Sequence, residues 1–136
     1  MKMNKPIGNQ LYGPLMLRTS LGMYLVIAGF MKLDNLRSFI SEVQGLHVLP
    51  DNIAAVYAVL LPYFEVFAGG LLVLGMWTTL GAIIASLHFA TMVYVFGLFT
   101  STGALLNKDV ILLAAGVSIL YSGAGAFSVD RFRESG

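Results

Sequence analysis

The sequence predicts an all-α fold: a four-transmembrane-helix antiparallel bundle with a short amphipathic helix between the first and second spans. Three observations lead there. Of 136 residues, 57% are hydrophobic and only 11% charged, against roughly 25% charged in a soluble domain, and the mean hydropathy is +0.81. The apolar residues gather into four runs, at 11–31, 53–74, 80–99 and 110–121. All but one of the connections between the runs are short, which forces neighbouring helices to run antiparallel. The chain therefore reads as a single integral membrane domain, 1–136. A net charge of +1 without any block of like charges argues against a nucleic-acid partner. The absence of cysteine excludes a disulfide framework, a thiolate metal site and a thiol redox step carried by this chain.

The first span is expected at about 11–32, and some 20 residues of helix make roughly 30 Å, the thickness of the hydrocarbon core. Its flanking Lys2 and Lys5 resemble the basic region of a signal peptide. Arg18 interrupts the start of the apolar run, however, and three more hydrophobic segments follow, which favours an uncleaved anchor. In the long connection, Leu36, Phe39, Ile40 and Val43 recur at helical spacing. They predict a helix at about 35–45, capped by Asp34 or Asn35 and ended by Gly45, lying on the membrane or over the bundle mouth.

Pro50-Asp51-Asn52 turns the chain into the second span, 53–75, and Met76-Trp77-Thr78-Thr79 closes a tight hairpin into the third, 79–99. Trp77 suits the membrane interface. The connection at 100–106 leads to the fourth, 107–123, which is short. It reaches a spanning length only if Asn107 to Asp109 cap its start and the glycines after Ser122 end it; a re-entrant segment is the competing reading. Gly123-Ala-Gly125 follows an apolar helix rather than a strand, so a phosphate-cradling loop is a poor reading. Glycines that stop a helix, with Ser128 and Asp130 fixing a tail, account for it. Lys2, Lys5, Arg131 and Arg133 flank the termini, against Lys32, Arg37 and Lys108 on the other side, and this four-to-three count favours cytoplasmic termini.

The ionisable residues inside the spans carry the functional argument. Arg18, Gly22, Leu25, Gly29 and Lys32 form one stripe on the first helix. Glycines let a second helix approach closely where lipid supplies no hydrophobic contrast, so this stripe should face inward. The second helix offers Ala58, Pro62, Glu65 and Gly69 on one face, with Glu65 near the bilayer midplane. An ionised carboxylate at that depth costs at least about 3 kcal/mol unless paired, hydrated or protonated. Arg18 is within reach as a partner, although its long stem also permits snorkelling to the headgroups. Lys32 is placed as an interfacial anchor. Pro62 frees a carbonyl close to Glu65 and prepares a polar pocket; the plain alternative is a protonated Glu65 bonded to a neighbouring helix. His88, midway along the third span, suits a quinone carbonyl or a proton, or a neutral packing histidine bonded to a backbone oxygen. With only two histidines, and His47 in the long connection, no haem or metal site is indicated.

Arg18-x3-Gly22 with Gly29-x2-Lys32-Leu33, Pro62-x2-Glu65 leading to Leu74-Gly75-x2-Thr78, and Gly123-x-Gly125-x2-Ser128-x-Asp130 together resemble the DoxX family of small four-helix membrane proteins. The resemblance runs from about Pro14 to Phe132. It implies a multi-pass protein of the bacterial or archaeal cytoplasmic membrane, some of whose relatives are subunits of thiosulfate:quinone oxidoreductase while others accompany soluble redox enzymes. It supplies no agreed catalytic residue, so Arg18, Lys32 and Glu65 are candidates by position only.

Three functions follow as expectations. One is a subunit of a quinone-linked redox complex, with Glu65 and Arg18 as the catalytic candidates and Arg18, Lys32, Glu65 and His88 forming a quinone pocket. Quinone is the only cofactor expected, and the electron donor would lie on another subunit. Another is a non-catalytic accessory or assembly subunit of a larger membrane complex, in which the glycine faces are contact surfaces. A small transporter is a third reading, but four helices leave little room for a pathway without oligomerisation.

Overall fold

The computed structural model describes residues 3–5, 7–97 and 108–135, and these form six helices in the order α1 (Tyr12–Asp34), α2 (Leu36–Gly45), α3 (Asp51–Leu74), α4 (Thr78–Phe96), α5 (Lys108–Ser122) and α6 (Val129–Ser135). No strand occurs among the described residues. α1, α3 and α4, with 23, 24 and 19 residues, are long and apolar enough to cross a membrane. α5 has 15 residues, so the described part of the fourth predicted span is shorter than a bilayer requires. The expected connection at 100–106 and the cap at Asn107 lie outside the described residues. Among the described residues three candidate spans are therefore seen where four were predicted.

α1 packs on α3 because glycines remove the side chains that would hold the two apart. A Cβ on Gly22 would lie 2.8 Å from the carbonyl oxygen of Gly69, and one on Gly69 would lie 2.7 Å from that of Gly22. A Cβ on Gly29 would meet the Pro62 carbonyl at 2.9 Å. The buried residues of α1 are Arg18, Leu21, Gly22, Leu25 and Gly29, and those of α3 include Ala58, Pro62, Glu65 and Gly69. The inward faces are those that the small-residue spacing predicts. Leu21, Leu25, Ala68, Leu72, Ala82, Ala85, Phe89 and Ile119 fill the space among α1, α3, α4 and α5.

α2 is amphipathic as predicted. It buries Phe39 and Val43 against Ala54, Ala58 and Leu61 of α3 and Met92 and Val95 of α4, and so covers one end of the bundle. It ends at Gly45 as expected, but Asn35 makes no side-chain cap bond, so packing rather than capping holds its start. At the opposite end Gly75, at φ +68°, closes α3, and Gly123, at φ +79°, closes α5. Side chains of Phe30, Phe64, Phe67, Leu87 and Tyr94 are half or more exposed, which in a bilayer is contact with lipid rather than a liability.

Candidate functional site

The two ends of the α1 stripe do different work. Arg18 is wholly buried. Its Nε donates to the Ala124 carbonyl at 2.8 Å, one terminal nitrogen to those of Leu72 (3.0 Å) and Val73 (2.8 Å), and the other to those of Ala126 and Phe127, both at 2.9 Å. A guanidinium has five N–H groups, and each meets a carbonyl here. Two of those carbonyls close α3, where the helix dipole is negative and favours a cation. The expected pair between Arg18 and Glu65 is thus not formed, and Arg18 has no donor left for a ligand. It is neither snorkelling nor part of a pocket: it ties α1 to the end of α3 and to the segment after α5.

The rest of that end is built on the same plan. A Cβ on Gly75 would lie 2.4 Å from Cβ of Ser128 and 3.1 Å from Cζ of Arg18. A Cβ on Gly125 would lie 2.6 Å from the Leu11 carbonyl. The Asp130 carboxylate accepts from the backbone N–H of Trp77 at 2.8 Å and of Thr78 at 2.7 Å, capping α4 from 52 residues away, while the Asp130 N–H donates to the Gly75 carbonyl at 2.9 Å. Partial burial pushes the Asp130 carboxyl up, but the bonds from Thr78 and Trp77 and the nearby Arg133 charge outweigh it and hold the group below its ordinary value.

Near mid-span the structure assembles a different cluster. Glu65, whose side chain is fully buried, accepts a hydrogen bond from Nζ of Lys32 on its Oε1, and Nε2 of His88 lies 3.0 Å from the same oxygen. Lys32 comes from the last turn of α1, Glu65 from the middle of α3 and His88 from the middle of α4. Gly29 allows this: a Cβ there would lie 3.3 Å from Glu65 Cβ and against Pro62, so one helical turn from Lys32 the backbones nearly touch. Lys32 is therefore more than an interfacial anchor, and His88 Nε2 lies beside the carboxylate rather than against a backbone oxygen. Glu65 Oε2 and His88 Nδ1 are buried and have no hydrogen-bond partner among the described residues.

Openings lie on two sides of this cluster. Beside Lys32 a mouth of about 400 Å³ is lined by apolar side chains, Met31, Phe39 and Phe96 among them, and by the polar Asn35, Ser38, Glu42, Lys108 and Asp109. On the other side an apolar groove of about 310 Å³ between α3 and α4 is lined by Tyr57, Leu60, Leu61, Phe64, Ile84, Leu87, His88 and Thr91. Sequence reasoning missed Tyr57 and Thr91, whose hydroxyls lie 2.9 Å apart. Their shared face was legible only once the register of α3 against α4 was known. No group of three or more histidine, aspartate or glutamate side chains able to hold a metal occurs among the described residues.

Three apolar helices with a carboxylate, an amine and an imidazole meeting between them define a membrane protein with a buried ionic centre. Its family follows from comparison: the family model described as methylamine utilisation protein MauE matches residues 11–107, well over half of the chain, and the chain belongs to that family. No curated protein and no solved structure matches it. The resemblance to DoxX is corrected by this result. Of the residues that carried it, Arg18, Gly75, Thr78, Gly125, Ser128 and Asp130 lock one end of the bundle together, while Gly22, Gly29, Lys32, Pro62 and Glu65 bring α1 against α3. They report how such helices are tied rather than which family the chain comes from.

Proposed function

We propose that this chain is a membrane accessory protein of an amine-oxidising system of the methylamine-utilisation type, working beside other proteins and carrying no electrons itself. Membership of the MauE family supports the pathway, and the name of that family is what points to methylamine. The lack of cysteine supports an accessory role, since any thiol chemistry must come from a partner. The observation that carries the reading is the Lys32–Glu65–His88 cluster. Ionisable groups held at this depth are costly and mark working sites in membrane proteins.

The physical role of the cluster is to hold a charge-balanced polar point inside the bilayer, with a mixed mouth beside Lys32 and a lipid-side groove beside His88. Such a point can take up or release a proton inside the apolar bundle. Partner proteins would dock on the polar ends, and the multi-pass arrangement would sit in the cytoplasmic membrane of a prokaryote. The test is complementation of a methylamine-utilising bacterium deprived of its own MauE. Growth on methylamine should return with this chain and fail with Glu65→Gln at equal membrane abundance. Absence of rescue by the unaltered, membrane-inserted chain would refute the assignment.

A further inference from the structure

The end of the bundle that Arg18 ties together also holds a cavity of about 560 Å³, apart from the Lys32–Glu65–His88 cluster. Trp77, Thr79, Ser122, Asp130, Arg131 and Arg133 are among the residues that line it, and its size is that of a small-molecule site. Ser128 Oγ accepts from the Arg131 N–H at 3.1 Å, and the Phe132 N–H donates to the Ser128 carbonyl at 3.0 Å. The Asp130 carboxylate meanwhile holds the α3–α4 hairpin at Trp77 and Thr78. The backbone that carries Arg131 and Arg133 is thus fixed against the hairpin, and the cavity is formed before anything binds.

The depth of the cavity follows from the spans. α3 ends at Leu74 and α4 starts at Thr78, so the hairpin between these two candidate spans marks where the hydrocarbon stops. Trp77 stands at that turn, more than half exposed, and Phe127 and Phe132 of the neighbouring segment are exposed as well. Exposed aromatic rings at the ends of spans belong to the headgroup layer. The charges at this depth do not balance. Asp130 is the one acidic residue lining the cavity among the described residues. It already accepts two backbone bonds, and the charges of Arg133 and of the buried Arg18 both act on it. Three arginines thus meet one aspartate, and two of the three, Arg131 and Arg133, are exposed residues on the wall of the cavity.

We propose that this cavity binds the phosphodiester headgroup of an anionic phospholipid, its phosphate held by Arg131 and Arg133 and its alcohol or ester oxygens by Thr79 and Ser122. A phosphate takes up the excess positive charge in the forked geometry that a guanidinium favours. A lipid phosphate already lies at this depth while its acyl chains stay in the bilayer, whereas a free phosphate must leave water to reach it. A phosphatidylcholine headgroup brings the same phosphate but adds a cation, which the arginines repel. The inference is independent of the reading of the Lys32–Glu65–His88 cluster, and it gives the locked end of the bundle a ligand of its own.

Trp77 is the only tryptophan of the chain, so its emission reports on this cavity. The full chain in neutral maltoside micelles is titrated at constant ionic strength with dioctanoyl phosphatidylglycerol, dioctanoyl phosphatidylcholine and inorganic phosphate, reading Trp77 emission and the unfolding midpoint. Phosphatidylglycerol should give a saturable change in emission and raise the midpoint. Arg131→Gln or Arg133→Gln should weaken its binding about fivefold, and the pair at least about tenfold. Both residues are exposed, so the midpoint without lipid should barely move. Arg37→Gln, on α2 at the other end of the bundle, should change nothing. An equal response to phosphatidylcholine, or phosphatidylglycerol binding that the double variant keeps, overturns the proposal. So does the absence of a saturable change in both readouts. Displacement of the lipid by inorganic phosphate at equal concentration would make this a site for free phosphate and overturn the lipid assignment.

Discussion

Replacing Arg18 distinguishes a fold-locking arginine from a ligand-binding one. Arg18→Met keeps most of the apolar stem but removes five hydrogen bonds to the Leu72, Val73, Ala124, Ala126 and Phe127 carbonyls. Bonds from a charged donor contribute roughly 1.5–3 kcal/mol each before the cost of burying the cation is counted, and that cost is itself several kcal/mol. Taking about 1 kcal/mol net per bond gives a loss near 5 kcal/mol, reduced to about 3–4 by the better burial of the methionine stem. Arg18→Lys offers three donors in place of five and cannot reach carbonyls on both sides at once, so it should lose about 2 kcal/mol. The assay is reversible unfolding of the purified chain in mixed detergent micelles, followed by far-ultraviolet circular dichroism. A loss of under about 1 kcal/mol for Arg18→Met would refute the reasoning.

Further outcomes are expected elsewhere in the bundle. Gly69→Ala places a methyl 2.7 Å from the Gly22 carbonyl and should separate α1 from α3 at a cost of about 1–3 kcal/mol, whereas Gly70→Ala, with open space around its Cβ, should be neutral; paired melting curves decide it. Asp130 has its carboxyl held below the ordinary value near 3.8, so its contribution is present above that pH and disappears as pH falls through the lower folded value. Unfolding measured from pH 6 downward should therefore show a loss of stability below about pH 4 that Asp130→Asn lacks. The same variant removes a carboxylate cap from α4 and should cost about 1 kcal/mol at neutral pH.

Much of the helical layout was legible because it depends on local patterns. The small-residue stripe of α1 named its buried face, the spacing of Leu36, Phe39, Ile40 and Val43 named α2, and the hairpin at Met76 to Thr79 fixed the direction of α4 against α3. Polar pairings were not legible, because they depend on the axial register between helices. Depth alone placed Arg18 and Glu65 as plausible partners. The close Gly22–Gly69 and Gly29–Pro62 contacts set a register in which Lys32, not Arg18, reaches the acid.

His88 illustrates the same point. Its depth was evident, but its place beside Glu65 depends on how α4 lies against α3. Asp130 was read as fixing a tail, and no local signal marks it as the cap of a helix that begins 52 residues earlier. The family assignment failed for a related reason: Gly, Arg and Asp at helix ends are what any tightly tied bundle needs.

The central claim is that Lys32, Glu65 and His88 act as one buried, charge-balanced unit, and a thermodynamic cycle on its ion pair tests that most directly. Unfolding free energies would be measured for Lys32→Met, Glu65→Gln and the double variant in the same micelles. Removing one member of a buried pair strands the other, at a cost of about 3–5 kcal/mol, while removing both leaves no stranded charge. The account predicts a double variant more stable than the sum of the singles implies by at least about 1.5 kcal/mol. Effects that add within about 0.5 kcal/mol would mean that the two side chains do not depend on each other, and would contradict it.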